Sequence, residues 1–266
     1  MKLPQRYYYR DILIHGRDKA NELIRFVHEQ IPAIWRWIRG NPLKLIGIIL
    51  GIYLSFQYLT LPNNSLQYYR KHNPQRTALM EQRIDEAENT GTSFSVKQRW
   101  VPLSKISQHL VHAVIVAEDG AFYEHEGIDW FEIEESIKKN LEKGKAARGG
   151  STITQQLSKN LFLSTSKSPV RKFKELIITL RMERTLSKRR ILEIYLNVIE
   201  WGNGIFGAEA ASRAYFGKSA SQLSREEAAR MAAVIPSPRK YQPNGSSRYV
   251  IRRSALILSR MSARGY

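Results

Sequence analysis

Apolar residues recur at helical spacing along most of this chain, and one such run ends in two adjacent carboxylates. Val111, Val114 and Ile115 stand at i, i+3 and i+4, and Glu118 follows at i+7. Because these positions share one face of a helix, the pattern predicts that Glu118 lies on the buried side of that helix. The alternative is that Glu118 and Asp119 end a helix and face solvent.

The same periodicity, together with capping residues, predicts the other helices. Ser168 and Pro169 suit the N-cap and first helical positions, and Ser224 with Glu227 forms a capping box. Predicted helices cover residues 77–87, 151–163, the segment from 168 onward, 188–199, 224–235 and the last twenty residues, a basic helix of structural character. Alternation typical of a strand occurs only at 93–100. The predicted fold class is therefore mainly α.

One uncharged stretch lacks a polar face. Leu45 to Leu61 contains 17 residues without a charge, preceded by Arg39 and Lys44 and followed by Pro62. This length predicts a single membrane-spanning helix, and a buried core helix is the alternative. Long domains cross a membrane largely regardless of charge, so we expect the short basic N-terminal tail inside and the rest of the chain outside.

These features divide the chain into four predicted parts. They are a short cytoplasmic tail at 1–44, a transmembrane helix at 45–61, a polar connector at 62–95 and a helical body at 96–266. Within the tail, Asp18 to Ile38 is predicted to form a short amphipathic helix.

The charge of the chain is strongly one-sided. Lysine and arginine number 42 and aspartate and glutamate 24, which gives a net charge of +18. Such a surface suits a polyanion, which can be nucleic acid, anionic lipid or a phosphate-bearing substrate. The chain contains no cysteine, so disulfides and thiol-ligated metals are excluded.

Residues of several chemical types follow Glu118 closely. Asp119, Phe122, His125 and Gly127 all come within nine positions of it. Burial would raise the pKa of the Glu118 carboxyl toward the range in which a general base works near neutral pH.

A glycine-rich segment, Gly149 to Gln156 with the sequence GGSTITQQ, is the second candidate region. Two glycines lead into Ser151, the predicted N-cap of a helix on which Thr152, Gln155 and Lys159 share one face. Free backbone N–H groups, hydroxyls and a lysine can hold an anion or sugar hydroxyls. An ordinary capped helix is the alternative.

Two cations and one carboxylate form the third candidate region. Arg171 and Lys172 precede Glu175 at spacings that let the carboxylate meet both of them on a helix. A surface ion pair worth roughly 0.3 kcal/mol is one interpretation. The other is a carboxylate kept ionised beside cations whose remaining donors meet a phosphate. The spacing leaves both open.

The helix at 188–199 leads into the fourth region. Glu193, Asn197 and Glu200 are predicted to lie on its outer, polar face. Trp201 follows in a glycine-rich turn and is predicted to be exposed, where it can stack on a sugar or enter lipid.

Five stretches, in this order, resemble the family 51 glycosyltransferases, which polymerise peptidoglycan from lipid II. They are Glu118-Asp119 with Phe122, His125 and Gly127; Gly149 to Gln156; Arg171-Lys172 with Glu175; Leu192 to Asn197 with Gly202; and Pro236 with Tyr241 and Pro243. The resemblance covers about residues 90–245, and five ordered motifs are far more specific than any single one. The chain is most similar to the monofunctional members. The resemblance implies a lysozyme-like helical glycosyltransferase domain at 96–266, with a small membrane-apposed jaw in the connector region at 62–95, preceded by one transmembrane helix.

The resemblance also implies roles for the motif residues. Glu118 would take the proton of the GlcNAc 4-hydroxyl of lipid II as that oxygen attacks a muramyl anomeric carbon, with inversion to a β-1,4 bond. Lys159, Arg171 and Lys172 would neutralise the departing pyrophosphate, and Glu175 would orient these cations or assist near the leaving group. The remaining substrate-binding positions are Asp119, Phe122, His125, Ser151, Thr152, Thr154, Gln155, Gln156, Lys167, Glu193, Asn197 and Tyr241.

One position departs from the family pattern. Lys167 stands where many relatives carry arginine, and lysine keeps the charge but lacks the two-pronged geometry for phosphate. We therefore expect Lys167 to contribute charge rather than a bidentate contact.

Cofactors, partners and location follow from the same resemblance. No cofactor and no protein-bound metal is required, although a divalent cation, Mg²⁺ or Mn²⁺, can accompany the pyrophosphate. The implied partners are lipid II, nascent glycan chains, the membrane and other cell-wall synthases or division proteins, and not nucleic acid. The implied location is the bacterial cytoplasmic (inner) membrane, in a single pass, with the catalytic domain on the periplasmic side.

Three other functions compete with this interpretation. A lysozyme-like hydrolase would also use a buried glutamate, but it needs neither a cationic pyrophosphate site nor a membrane anchor. A nucleic-acid-binding protein would explain the charge, but the chain contains no recognised motif of that class. A catalytically weak membrane scaffold of a cell-wall complex predicts that Glu118→Gln is silent.

Overall fold

The structure is a computed structural model that describes residues 25, 26, 30, 32, 34–143 and 150–266. The chain forms two compact units that divide after Thr60. The tail at 1–44 and its predicted helix at 18–38 lie largely outside the described residues, and Gly149 lies outside them as well.

The first unit contains one long apolar helix, α1 (Pro42–Leu59). Its 18 residues rise by about 27 Å, close to the thickness of the hydrocarbon core of a bilayer. None of its residues is buried within the protein, and the stretch from Pro42 to Tyr68 is long and apolar enough to cross a membrane. An apolar helix without a buried face is stable in lipid, which agrees with the predicted membrane span at 45–61.

The second unit is mainly helical, as predicted. Its α-helices are α2 (Asn63–Tyr68), α3 (Ala78–Asn89), α4 (Gln108–Glu118), α5 (Trp130–Lys143), α6 (Ile153–Phe162), α7 (Pro169–Thr185), α8 (Lys188–Val198), α9 (Ala208–Phe216), α10 (Arg225–Val234) and α11 (Arg248–Ala263). The predicted N-caps Ser168 and Ser224 are confirmed, and Ser224 forms the predicted capping box with Glu227.

A small three-stranded sheet accompanies these helices. Strand β1 (Lys97–Gln98) pairs in parallel with β3 (Ile205–Phe206), which pairs antiparallel with β2 (Glu200–Gly202). Of the strand predicted at 93–100 only Lys97–Gln98 forms, and β2 and β3, which lie in the predicted glycine-rich turn and just after it, were not predicted. The expectation that Trp201 is exposed is wrong, because this residue lies in β2 and is fully buried.

Two groups of packed helices position the polar motifs. Helix α4 packs against α10 and α11, and α6 packs against α3, α7 and α8. Val111, Val114 and Ile115 of α4 are buried as predicted, so the helix ends with Glu118 at the edge of the core. Close packing continues beyond this helix: Gly127 has φ +87°, and a Cβ there would lie 2.7 Å from the Thr179 side chain.

Candidate active site

A cleft of about 1060 Å³ opens at the C-terminal end of α4. The end of α4 with the loop after it, the segment that leads into α6, and α11 contribute to its walls. The predicted site residues that line it are Glu118, Asp119, Ser151, Thr152 and Gln156. The fold thus brings residues of the first two motifs to one surface.

Glu118 is held at the edge of this cleft by two side chains from other elements. Gln156 Nε2 donates to Glu118 Oε2 at 2.9 Å, and Arg253 Nη2 lies 3.2 Å from Glu118 Oε1. Only 9% of the Glu118 side chain is exposed. Burial raises the pKa of this carboxyl above its usual value, although Gln156, Arg253 and Lys159 each act to lower it. The carboxylate is therefore suited to accept a proton.

Tyr195 fixes the orientation of the Gln156 amide. Its hydroxyl donates to Gln156 Oε1 at 2.9 Å, which turns the amide NH₂ group toward Glu118. Tyr195 is fully buried. Burial, followed by the charges of Glu118 and Asp119, raises its pKa well above the usual value, so the hydroxyl remains a donor. Tyr195 is not among the predicted site residues; the available signal was a tyrosine on an apolar helix face, where the hydroxyl needs a partner.

Asp119 joins the loop after α4 to the start of α6. Its Oδ1 lies 2.9 Å from His125 Nε2, and its Oδ2 accepts from Ile153 N at 2.9 Å. His125 Nδ1 accepts from Gly127 N at 3.0 Å, so the ring proton is on Nε2 and points at Asp119. Thr152 Oγ1 also donates to the Gly127 carbonyl, at 2.7 Å. These bonds fix the loop geometry beside Glu118.

The same residues form the described group that comes nearest to a metal site. Ligand atoms of Asp119, His125 and Asp129 lie within 4.8 Å of one another. Both nitrogens of His125 and both oxygens of Asp119 already bond within the protein. Because His125 has no free nitrogen lone pair in this arrangement, the group offers only its two carboxylates, which is fewer protein ligands than a resident metal site of this kind needs.

The start of α6 differs from the predicted one by a residue. The N-cap is Thr152 rather than Ser151: Thr152 Oγ1 accepts from Gln155 N, and Gln155 Oε1 accepts from Thr152 N. The side-chain oxygens of Thr152 and Gln155 are therefore engaged in a capping box. The exposed Ser151, in contrast, lines the cleft.

A second buried carboxylate ties α6 and the loop after α4 to α7. Glu183 accepts a hydrogen bond from Thr154 Oγ1, and Lys188 Nζ lies 2.8 Å from the same oxygen. The Lys188 ammonium also lies 4.6 Å from the centre of the Phe122 ring, which is fully buried. Through this ion pair, Thr154 of the glycine-rich motif is thus linked to Phe122 of the Glu118 motif.

Glu175 on α7 forms ion pairs with two of the predicted cations. Arg171 Nη1 donates to one of its carboxylate oxygens and Lys172 Nζ to the other. The Glu175 side chain is 4% exposed, so the carboxylate is buried, whereas Lys172 remains half-exposed. Burial lowers the pKa of nearby Lys159, while the charges of Glu175 and Glu118 oppose that shift. The charges of both carboxylates therefore influence the pKa of Lys159.

Two predicted binding residues on α8 hold the backbone before α4. Asn197 is fully buried; its Oδ1 accepts from Val101 N at 3.0 Å, and its Nδ2 donates to Val101 O at 2.9 Å. Glu193 Oε2 accepts from Leu103 N at 2.8 Å. The expectation of an outer, polar face is wrong for Asn197 and for Glu200, which is 5% exposed and paired with Arg83. The strand and loop at 97–103 cover this face.

Tyr241 and Lys167 also do not line the cleft. The Tyr241 ring stacks on Tyr249 of α11, with ring centres 4.3 Å apart. Lys167 lies exposed in the loop that precedes α7. Their roles in substrate binding remain predictions.

Helix α11 contributes arginines that the motifs did not indicate. Arg253 and Arg260 of this helix, and Arg264 just beyond it, line the cleft. Their spacing of seven and then four residues, which places side chains on one helix face, was the available signal. The predicted basic helix is confirmed, and its purely structural character stays a prediction.

Comparisons with known proteins show the family to which this chain is similar. The family model described as Transglycosylase matches residues 85–262. Three similar proteins are each named "Biosynthetic peptidoglycan transglycosylase". The one from Nitrosospira multiformis is 50% identical over 86% of this chain and 96% of the relative. That from Dechloromonas aromatica is 48% identical over 86% and 96%, and that from Chromobacterium violaceum 45% identical over 82% and 95%.

Proposed function

Since the chain belongs to the transglycosylase family and is a peptidoglycan glycosyltransferase, we propose that it polymerises glycan strands from lipid II with Glu118 as general base. The 4-hydroxyl oxygen of the acceptor GlcNAc attacks the anomeric carbon of the lipid-linked chain. An O4–C1 bond forms with inversion, and the bond from C1 to the pyrophosphate oxygen breaks. Undecaprenyl pyrophosphate leaves with the electron pair, and the hydroxyl proton passes to the Glu118 carboxylate.

The observation that carries this proposal is the environment of Glu118. The carboxylate is buried at a cleft and is bonded by one amide and one guanidinium at 2.9 and 3.2 Å. Burial raises its pKa, which favours proton uptake when the hydroxyl attacks. The Tyr195–Gln156 bond restricts the position of this carboxylate, so the base is preorganised.

The cation cluster suits the leaving group. Arg171 donates from Nε to the Ser166 carbonyl and from Nη1 to Glu175. Nη2 and one proton of Nη1 are therefore left without a partner among the described residues. We assign Arg171, Lys172 and Lys159 to the departing pyrophosphate and Glu175 to positioning these cations. This arrangement supplies positive charge where negative charge develops.

The proposed transfer itself requires no cofactor. The group around Asp119 and His125 does not fit a resident metal, so a Mg²⁺ or Mn²⁺ ion would enter with the pyrophosphate of the substrate. The apolar helix α1 supports a single-pass anchor. We place it in the bacterial inner membrane, with the catalytic unit outside, next to lipid II, nascent chains and other cell-wall synthases.

The test is polymerisation of labelled lipid II in detergent by the full-length protein. We expect Glu118→Gln to lose activity by a factor of about 100 or more, the scale for removal of a general base, while lipid II still binds. Glu126→Gln is the matched control, since Glu126 is exposed and does not line the cleft. Equal activity of Glu118→Gln and wild type would exclude the proposed base. A folded wild type that binds lipid II without polymerising it would favour the scaffold alternative.

A further inference from the structure

Helix α3 lies in the segment at 62–95, which was predicted to be a polar connector. It packs against α6, and three of its side chains, Leu79, Met80 and Ala87, are buried. Gln82 and Glu86 stand one turn apart on the same helix. Because α3 is fixed by its buried face, its polar side chains can hold other elements in place.

The Gln82 side chain makes two hydrogen bonds to the loop between α6 and α7, residues 163–168. Its Oε1 accepts from Thr165 N at 2.9 Å, and its Nε2 donates to Thr165 Oγ1 at 2.7 Å. Thr165 and the next residue, Ser166, are exposed. The loop therefore gains little order from burial at this point, and the two bonds from α3 restrict its backbone.

Glu86 sets the orientation of the Gln82 amide. Gln82 Nε2 also donates to Glu86 Oε1 at 2.7 Å. This hydrogen bond, followed by the contacts with Arg83 and Arg239, holds the pKa of Glu86 below its usual value, so the carboxylate is an acceptor at neutral pH. A reversed amide would place its carbonyl oxygen against this carboxylate. The amide is therefore held with its oxygen toward Thr165 N.

The loop held by Gln82 contacts a cation of the proposed leaving-group site. The carbonyl of Ser166, one residue after Thr165, accepts from Arg171 Nε, and Arg171 Nη1 donates to Glu175. Because a guanidinium is planar and rigid, these two bonds fix its plane. They therefore also fix the direction of Nη2, the group that remains available for a phosphate oxygen.

We propose that Gln82 is a positioning residue for the leaving-group site: its amide holds the loop whose Ser166 carbonyl sets the plane of the Arg171 guanidinium. This inference rests on the proposed function, in which Arg171 stabilises the departing pyrophosphate. Donors stabilise developing charge best when they are aligned before the reaction. Loss of the Gln82 bonds would therefore raise the barrier without removing any charge from the site.

The experiment measures extension of a labelled, lipid-pyrophosphate-linked glycan oligomer by the full-length protein in detergent. Gln82→Met keeps nearly the length of the side chain and removes both its donor and its acceptor. With the oligomer saturating and lipid II varied, we expect kcat to fall about tenfold, less than the ~100-fold that a misplacement of one ångström can cost. KM for lipid II should stay unchanged, because the bond that breaks belongs to the oligomer.

A double-mutant cycle tests whether Gln82 acts through Arg171. In Arg171→Gln the guanidinium that the loop orients is absent, so the addition of Gln82→Met should lower the single-turnover rate no further. Additive losses would mean that Gln82 acts independently of Arg171, and they would overturn the inference. A purely structural role predicts such additive losses, so the cycle distinguishes the two.

Glu81→Gln is the matched control. Glu81 is the neighbour of Gln82 on α3, is exposed, and pairs with Arg76 at 3.2 Å rather than with the loop. This variant weakens a surface contact of the same helix and should keep the wild-type kcat. Thr165→Val removes the hydroxyl partner of Gln82 and should also lower kcat, but by less, since the bond to Thr165 N remains. It keeps the test valid if thermal melting shows that Gln82→Met does not fold.

The outcomes separate this inference from the proposed function. A wild-type kcat in Gln82→Met and Thr165→Val, with an active wild type, would overturn the positioning role and leave the proposed function standing. An equal loss in Glu81→Gln would show that any loosening of α3 slows the enzyme, and it would overturn the role as well. An inactive wild type would overturn the proposed function and this inference together.

Discussion

Glu118 and Glu175 are both buried carboxylates, with side chains 9% and 4% exposed, but their surroundings differ. Glu118 has one neutral amide and one guanidinium as partners. Glu175 binds a cation through each of its oxygens. A carboxylate with few charged partners can take up a proton, whereas one held by two cations serves to fix those cations. The same residue type therefore supports a base at one site and a positioning group at the other.

Lys159 connects these two environments. It is largely buried, its pKa is lowered by that burial, and the charges of Glu175 and Glu118 oppose the shift.

We expect Arg171→Gln to lower the polymerisation rate by a factor of about 100 to 1,000, the scale for removing one preorganised group that stabilises developing charge. Arg171→Lys should recover part of this loss, because lysine restores the charge but not the fork of donors. The measurement is single-turnover extension of labelled lipid II. Full activity of Arg171→Gln would show that the Glu175 cluster does not serve the leaving group.

The two carboxylates should respond oppositely to neutralisation when stability is measured. Glu175→Gln leaves Arg171 without its anion and should cost about 2–3 kcal/mol, since the half-exposed Lys172 retains access to water. Glu118→Gln should stabilise the protein at neutral pH, because burial raises the pKa of Glu118 and so disfavours its charged form. A raised pKa contributes stability below the pKa of the unfolded chain, and this contribution is lost as pH rises through the folded pKa. The advantage of Glu118→Gln should therefore vanish on acidification. Thermal melting of the detergent-solubilised variants from neutral to acidic pH checks the direction of both stability changes.

The smallest expected effect concerns the pH dependence of the rate. Only deprotonated Glu118 can accept a proton, so kcat should fall as pH drops through its pKa. Arg253 lowers the pKa that burial raises. Arg253→Gln should therefore move the acid limb of the kcat profile to higher pH, while Arg248→Gln leaves it in place. An unmoved limb in Arg253→Gln would mean that another group controls this titration.

Much of the fold was predictable because it depends on local patterns. The apolar spacing in α4 correctly placed Glu118 on a buried face, and Ser168 and Ser224 were correctly identified as N-caps. Arg171, Lys172 and Glu175 lie within one turn of a helix, so their contact also followed from spacing. The sequence could not decide whether that cluster is buried.

Contacts between distant segments could not be predicted in this way. Arg253 reaches Glu118 across 135 positions, and Asn197 holds Val101 across 96. Trp201 is buried although its glycine-rich turn predicts exposure. Periodicity states which face of an element is apolar, but not which other element covers a polar face. That choice depends on how helices pack in three dimensions, and it decides whether a polar side chain binds substrate, backbone or solvent.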